Sequence, residues 1–352
     1  MKLYVLDTGF NTVAHLDDYM SSIWTDRYCG YGDFEFYTSM DNAVFANAPK
    51  NCYLWSDISE HLMIIEERTI TTDVESGNHL QITGRSLESI LERRIIWAQT
   101  ILTGNFQNGI QKLLNENVIS PSIAARKIDN FIFEASDDPA ITGLAIDAQF
   151  TGDNLYEVIV SLCSQNGLGF KIILNENNQF VFKLYKGSDR SYNQTENPYV
   201  VFSPDFENIV NSNYFESNQD YKNVALVAGE GEGSARKTSA VGDVSGLERR
   251  ELFVDARDIS SETEEGTLTN EDYTKLLTQR GSDKLAEYKE TTDFEGEVDT
   301  SQMFVYGEDF FIGDIVQITN EYGIEQKVRV DEMIFSDDTS QGITMIPTFT
   351  TV

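Results

Sequence analysis

The first part of the chain alternates short aromatic, apolar segments with glycine, asparagine or aspartate. These segments are VLDTGF, SSIWTDRY, GDFEFYTS and CYLWSD, and their length and spacing predict β-strands. The next stretch, HLMIIEERTITTDVESGNHLQITGR, has two β-rich arms around Ser76-Gly77-Asn78 and predicts a long hairpin. We therefore expect residues 1–97 to form a small barrel or sandwich.

The hydrophobic period changes to that of a helix after Ser86. Leu87 and Leu91 fall at helical spacing, and Ser86 is suited to cap the first turn. A second helical pattern covers residues 105–119, and Pro121 is expected to stop it. The following KIDNFIFEAS predicts a return to a strand.

The clearest helical pattern runs from Asp153 to Asn166. Its start is expected to be capped by Thr151 or Asp153 and its end to fall at Gly167, and its apolar stripe is Leu155, Ile159, Leu162 and Cys163. A hairpin follows, in which alternating apolar residues face each other across a turn at residues 175–178: Phe170, Ile172 and Leu174 against Phe180, Phe182 and Leu184. Helix and hairpin predict a compact α+β unit.

Strand patterns return at VVFSPDFENIVNSNYFES and YKNVALVAGEGEG. Thr269 with Asp272 resembles a capping box that opens a helix over about residues 270–289. Gly281 lies on the apolar face of that helix, which predicts either close approach by a neighbouring element or a simple weak point. From Asp293 onward the pattern is a β meander, with turns at Tyr322-Gly323 and Gln341-Gly342.

Together these patterns predict a mainly β protein with an α+β insert, in which two small β-barrels flank a helix-plus-hairpin domain. We place the first barrel at residues 1–97, completed by strands from about 198–228. The α+β domain covers 98–197, and the second barrel covers 198–352. A β unit at each end suggests that the two ends are structurally alike.

Length and charge limit the function classes. A chain of 352 residues has room for two or three domains. The 58 acidic and 26 basic residues give a net charge of -32, which repels polyanions and argues against specific nucleic-acid binding. No apolar run reaches the roughly 20 residues needed to span a bilayer, and the start does not resemble a signal peptide. We expect synthesis in the cytosol and no stable membrane insertion.

The cysteines and histidines predict no metal site. Cys29, Cys52 and Cys163 are widely spaced among apolar neighbours, which favours buried thiols over a disulfide framework. The three histidines, His15, His61 and His79, have neither helical partners at ligand spacing nor a nearby CxxC motif. We therefore assign no metal and no cofactor.

Two motifs resemble active sites weakly. Asp7-Thr8-Gly9 follows an apolar strand, as an aspartic-protease carboxylate does, but the nearest second copy, Asp338-Thr339-Ser340, lacks the glycine. Gly229 to Gly233 suggests a phosphate loop, yet no GK[ST] follows, and Glu230 and Glu232 would repel phosphate. A strand-to-turn junction and a flexible strand end explain these two motifs better.

Carboxylates and aromatic residues give only general signals. Pairs such as Glu66-Glu67 or Asp337-Asp338 fit solvated faces better than a glycosidase acid and base. Four aromatic residues near the N-terminus have the chemistry to stack on sugars, although core positions explain them better: Tyr19, Trp24, Tyr28 and Tyr31. We assign no catalytic residue and expect no enzyme activity.

Several segments in the same order resemble a known family. They are SSIWTDRYCGYGDFEFY, ITGRSLESILERRII, GLGFKIILNENNQFVFKLYKGSDRS, VVFSPDFENIVNSNYFES, YKNVALVAGEGEGSAR, GLERRELFVDARD and FFIGDIVQI. The chain is similar to the tail hub proteins of long-tailed phages, the siphoviral Gp37-like tail family, which shares its fold with the myoviral baseplate hub.

The resemblance implies a structural protein of the tail tip or baseplate. It implies a homotrimer whose two barrels per subunit form a pseudo-sixfold ring around a channel for DNA in transit. The implied partners are the tail tube, distal tail and tape measure proteins, together with tip or receptor-binding proteins. The implied location is the virion, after assembly in the host cytoplasm.

Other functions stay open at this point. One is a tail-associated cell-wall hydrolase or peptidase, and another is a glycan- or receptor-binding tail module. Family members often carry a C-terminal hydrolase or receptor-binding extension, and this chain stops at about the second predicted barrel, so we expect no lysin activity. The negative charge suggests a channel lined with carboxylates that does not retain DNA phosphates.

Overall fold

The computed structural model of the protein describes residues 1–75, 77–263, 266–298, 303–338 and 342–352. Within these ranges the α-helices are α1 Asn42–Asn47, α2 Phe106–Leu114, α3 Pro139–Thr142, α4 Leu155–Gln165 and α5 Asn270–Ala286. The strands are β1 Leu3–Leu6, β2 Thr12–Leu16, β3 Ser21–Arg27, β4 Asp33–Ser39, β5 Tyr53–Ser56, β6 Met63–Asp73, β7 Gly77–Ser86, β8 Thr100–Asn105, β9 Phe131–Glu134, β10 Ala145–Phe150, β11 Gly169–Leu174, β12 Phe180–Tyr185, β13 Val201–Phe202, β14 Ile209–Ser217, β15 Val224–Ala228, β16 Thr238–Val241, β17 Glu251–Asp255, β18 Glu262–Thr263, β19 Gly266–Thr267, β20 Thr291–Val298, β21 Ile315–Thr319, β22 Glu325–Asp338 and β23 Gly342–Thr351. The chain is therefore mainly β, as predicted.

One large sheet contains strands from both ends of the chain. Its order is β13-β21-β22-β3-β4-β7-β6-β5-β1-β2, and β23 also pairs with β22. The long strand β22 makes the connection, because its first residues pair with β21 while Glu332–Asp338 pairs with Ser21–Arg27 of β3. The described strands form no closed barrel in this order, so the prediction of two separate barrels is wrong.

A shared core explains why the two ends join. Trp24, Phe34 and Phe36 from the N-terminal strands are buried in the same cluster as Val330 and Phe335 from β22. A sheet that is apolar on one face must cover that face, and a common core covers the strands of both ends at once. The two ends therefore form one layer around one core.

The strands at about residues 198–228 lie in three different sheets. In the large sheet β13 pairs with β21, whereas β14 pairs with β20, and β15 pairs with β16 and β17. The predicted hairpin between β6 and β7 is present, with pairs from Met63–Ser86 to Asp73–Gly77. Ser76 of its turn and Gln341 of the β22–β23 turn lie outside the described residues.

The middle of the chain has its own core. The predicted hairpin is β11–β12, with Phe170 opposite Leu184 and Ile172 opposite Phe182, and β9 extends it in parallel to β12. The predicted helix is α4, but Asn154, rather than Thr151 or Asp153, accepts the capping hydrogen bonds. The helix predicted after Ser86 is a 3-10 helix over Leu87–Arg93, and the Ser86 side chain makes no capping hydrogen bond.

A third, smaller core lies between α5 and the sheet β16-β15-β17. Thr269 caps α5 and accepts a hydrogen bond from the Asp272 backbone, as the capping-box pattern predicted. A Cβ atom on Gly281 would lie 2.6 Å from Val227 Cγ2 and 2.7 Å from Val241 Cγ2. The glycine is therefore required by the close approach of valine side chains from β15 and β16.

Candidate functional site

Asp7, from the protease-like motif, lies in the turn after β1. Its Oδ1 accepts hydrogen bonds from the backbone of Asn11 (2.9 Å) and Gly9 (2.8 Å), and these contacts lower the pKa of Asp7. Both donors lie within four residues of Asp7 in the turn after β1, so Asp7 acts as a turn residue. In the second motif, Asp338 ends β22, whereas Thr339-Ser340 lies outside the described residues.

The Gly229–Gly233 segment is folded against the loop before α5. The Glu230 carboxylate accepts hydrogen bonds from Ser261 N (2.7 Å), Ser261 Oγ (2.6 Å) and Ser260 Oγ (3.0 Å). The Glu230 backbone N–H donates to the Tyr273 hydroxyl (2.8 Å). The Glu230 side chain thus joins two loops. A phosphate loop would need hydrogen-bond donors at this position, and an acidic side chain lies there instead. Residues 264–265, in the segment that leads to α5, lie outside the described residues.

The carboxylate pairs Glu66-Glu67 and Asp337-Asp338 contain residues that contact other parts of the chain. Glu66 forms an ion pair with Arg85 (2.6 Å), whereas Glu67 is exposed. Asp337 accepts a hydrogen bond from the Tyr19 hydroxyl (2.6 Å) and also contacts the Met1 amino group. Each carboxylate with a partner therefore serves a local structural contact.

The cysteines and N-terminal aromatic residues are largely internal. Cys52 and Cys163 are buried, Cys29 is half-buried, and burial raises the pKa of Cys29 to about 12. Trp24 and Tyr28 are core residues, and Tyr19 and Tyr31 are half-buried. Among the described residues no group of three or more His, Cys, Asp or Glu side chains is arranged to hold a metal. In the same part of the chain, no helix combines the length and apolarity that crossing a membrane requires.

The sequence did not reveal a buried charged cluster of Asp26, His61 and Glu88. Glu88 Oε1 accepts the Ile172 backbone N–H (2.6 Å), so the 3-10 helix is tied to β11. His61 Nδ1 lies 3.2 Å from the same oxygen, within ion-pair distance. Glu88 also accepts a hydrogen bond from the Ser86 hydroxyl. This contact explains why Ser86 does not cap the 3-10 helix.

The cluster is electrostatically coupled. Burial by itself lowers the pKa of His61, but the charges of Glu88 and Asp26 outweigh burial and raise it to about 9. Burial would raise the pKa of Glu88, whereas His61 and the hydrogen bonds from Ser86 and Ile172 hold it below its usual value. Burial raises the pKa of Asp26, which accepts hydrogen bonds from Trp24 (3.0 Å) and Ser59 (2.7 Å). These groups are sealed from solvent, so they join segments and meet no substrate.

A second ionic contact joins the middle of the chain to the large sheet. Asp314, which precedes β21, accepts hydrogen bonds from Arg190 Nε (2.7 Å) and Ser188 N (2.7 Å). Nearby, Arg329 of β22 donates to the Gly167 carbonyl (2.8 Å) and lies over the Tyr28 ring. The α+β part is therefore attached to the sheet by buried polar contacts at two places.

A cleft of about 750 Å³ lies on the open face of the large sheet. Its two arginines are already paired: Arg27 with Glu332 (2.5 Å) and Asp33 (3.2 Å), and Arg85 with Glu66. The lining also contains four carboxylates, Asp33, Glu35, Glu66 and Glu67, so the cleft is net acidic.

This architecture is that of phage tail proteins. It is similar over 100% of the chain to the 43 kDa tail protein of prophage MuSo2 from Shewanella oneidensis, at 12% identity and TM-score 0.60, covering 98% of that chain. The tail protein from Neisseria meningitidis MC58 is similar over 99% of the chain and 96% of its own length, at 14% identity and TM-score 0.58. Prophage tail protein gp18 from Listeria monocytogenes EGD-e is similar over 99% and 94%, at 14% identity and TM-score 0.55.

The sequence itself gives the family. Residues 2–349 match the model of the Siphovirus ReqiPepy6 Gp37-like protein, and the chain belongs to this family. No curated protein matches the chain. The family resemblance predicted from the sequence segments is therefore confirmed, and the solved structures support it at the level of the fold.

Proposed function

We propose that the protein is a non-enzymatic structural subunit of a phage tail, the hub at the tail tip or baseplate. The observation that carries this proposal is that its likeness to solved tail proteins spans both chains almost completely, with 100% and 98% covered in the first comparison. A likeness of that extent concerns the whole architecture and is not limited to one shared module.

The proposed assembly is a homotrimeric ring with a channel for DNA in transit. Its partners would be the tail tube, distal tail and tape measure proteins above and tip or receptor-binding proteins below. The protein would assemble in the host cytoplasm and remain in the virion. We also propose the domain boundaries expected from the sequence, after residues 97 and 197. The large sheet that contains strands from both ends of the chain would form the ring.

The buried contacts support a structural role. Glu88 and Asp314 are charged groups withdrawn from solvent, and each joins segments far apart in the sequence. Breaking a buried pair by removing one partner costs about 3–5 kcal/mol, so such contacts favour one fixed arrangement of the parts. Fixed geometry is what a ring subunit requires, since an error in one subunit repeats around the ring.

The charge of -32 gives the proposed channel a further property. Carboxylates lining the lumen would repel phosphates and would not retain DNA during passage. Replacing lumen-facing carboxylates with lysine should then slow DNA ejection in single-particle measurements. An unchanged ejection rate would remove this part of the proposal.

The experiment for the proposed function is light scattering of the purified protein combined with incubation on peptidoglycan. A hub should have a mass close to three times 39.8 kDa and release no peptidoglycan fragments. A protein that stays monomeric at every concentration contradicts the trimer. Fragment release would instead support a tail-associated hydrolase, and sugar affinity without a ring would support a receptor-binding module.

A further inference from the structure

A patch of exposed apolar residues and arginines lies beside the 3-10 helix Leu87–Arg93. Ile95 is 41% exposed, Trp97 60% and Ile123 41%. Arg94 and Arg126 lie among them, and the guanidinium centre of Arg126 is 5.3 Å from the centroid of the Trp97 ring. We call these five residues the Trp97 surface.

The two arginines are held in place by two backbone carbonyls and the Asn117 side chain. Arg94 Nε donates to the Arg126 carbonyl (2.9 Å), and Arg126 donates to the Ile95 carbonyl (2.5 Å) and to Asn117 Oδ1 (3.0 Å). These contacts bring two positive side chains to one place. Partial burial and the charge of Arg94 lower the pKa of Arg126.

Neighbouring cations differ in having carboxylate partners. Arg93 lies 4.0 Å from Glu66, and Lys127 lies 3.2 Å from Asp129. Within the described ranges, neither Arg94 nor Arg126 has a carboxylate oxygen within 4.0 Å. Other basic residues in the described ranges, such as Arg68 and Arg250, also contact backbone oxygens and form no ion pair. Arg94 and Arg126 differ from them in lying side by side next to an exposed tryptophan.

Charge limits how two copies of this chain can meet. Each copy carries -32, so most of their surfaces repel one another. A contact that brings positive charge on one copy to carboxylates on the next reduces this repulsion and favours one partner surface over others. The Trp97 surface has unneutralised arginines next to a large aromatic residue, and Trp and Arg dominate binding energies in protein interfaces.

We propose that the Trp97 surface binds an acidic segment of a second copy of this chain. This inference rests on the proposed ring and names one of its contacts.

The sign of the charge also sets the symmetry. A two-fold contact through this surface would place the arginines of both copies face to face. A contact between the Trp97 surface and a different, acidic surface avoids that repulsion, and such head-to-tail contacts close into rings or extend into filaments. The proposed contact is thus the type that a threefold ring uses.

The first experiment compares two double variants by light scattering over a dilution series. Arg94→Glu/Arg126→Glu reverses both charges, and the control Lys50→Glu/Lys289→Glu makes the same charge change at two exposed lysines. We expect the dissociation constant of the assembly to rise by at least about 100-fold in the first variant, because arginines are enriched among the residues that carry most of the binding energy of an interface. The control should associate like the wild type.

Circular dichroism checks that each variant is folded. Trp97→Ala leaves the charges intact and should also weaken association. If the wild type is a trimer and the arginine variant forms an equally stable trimer, the proposed contact is wrong and the ring proposal stands. A wild type that is always monomeric overturns both.

The second experiment follows Trp97 directly. Trp24 is buried and Trp55 is 39% exposed, so a Trp55→Phe variant leaves Trp97 as the exposed tryptophan. Acrylamide quenching of its fluorescence should fall as the protein associates. Quenching that stays constant while the mass triples overturns the inference.

A photo-crosslinker at Ile123 identifies the opposite surface. The expected product joins residue 123 of one copy to an Asp- or Glu-rich segment of another. Crosslinks between the same segment of two copies would contradict the head-to-tail contact.

Discussion

Replacing Glu88 with glutamine tests the buried cluster, because it removes a negative charge while nearly preserving the side-chain shape. Glu88 accepts the Ile172 N–H at 2.6 Å and lies 3.2 Å from His61 Nδ1, and its side chain is fully buried. In the variant a protonated His61 would be left beside only Asp26. Removing one partner of a buried pair costs about 3–5 kcal/mol, so we expect the free energy of unfolding to fall by that amount near neutral pH.

The pH dependence gives a second readout. Glu88 and Asp26 raise the pKa of His61 to about 9 in the folded protein, against about 6.5 when unfolded. A base with a raised folded pKa stabilises the protein fully below its unfolded pKa, and this contribution is lost as the pH rises through the folded value. At 1.36 kcal/mol per pKa unit it amounts to about 3 kcal/mol. The wild type should lose this amount between about pH 6.5 and 9, and Glu88→Gln should lose much less.

The assay is urea unfolding followed by circular dichroism at both ends of this pH range. Glu134→Gln is the matched control, because Glu134 pairs with Lys183 (2.7 Å) on the protein surface. Surface pairs contribute about 0–1 kcal/mol, so this control should keep the stability and pH dependence of the wild type. If Glu88→Gln follows the pH dependence of the wild type, or loses less than about 1 kcal/mol, the coupling between Glu88 and His61 is wrong.

Three further substitutions test individual contacts by thermal unfolding. Gly281→Ala should lower stability by about 1–3 kcal/mol despite its better helix propensity, because the new methyl group meets Val227; a higher midpoint would refute the close approach. Asn154→Ala should lose about 1 kcal/mol through the missing cap of α4, and an unchanged midpoint would contradict that role. Arg190→Met should lose about 3 kcal/mol because it leaves the Asp314 carboxylate buried without its ion-pair partner. A loss near zero would mean that the backbone donors suffice.

Local structure could be predicted where the pattern depended on near neighbours in the sequence. The alternation of Phe170, Ile172 and Leu174 predicts a strand with one buried face, and that strand is β11. The Thr269–Asp272 spacing predicts the start of α5 for the same reason, since a cap involves only residues within one turn. Gly281 was also informative, although the choice between close approach and weak point required the positions of Val227 and Val241.

The long-range pairing could not be predicted. Ile334 of β22 lies opposite Thr25 of β3, more than 300 residues away, and alternation says which face of a strand is buried without saying which strand is its neighbour. Glu88 was missed because a charged residue in a short helical segment normally faces water. Its only sequence signal is its position three residues before Leu91, on the side of the helix that is buried.

The central claim is that this chain is a ring-forming tail subunit, and electron cryomicroscopy of the purified assembly tests it most directly. We predict threefold particles with an open central channel, in which each subunit contributes its large sheet to the ring and contacts its neighbour through two different surfaces. Monomers at every concentration, closed two-fold dimers or particles without a channel would contradict the account.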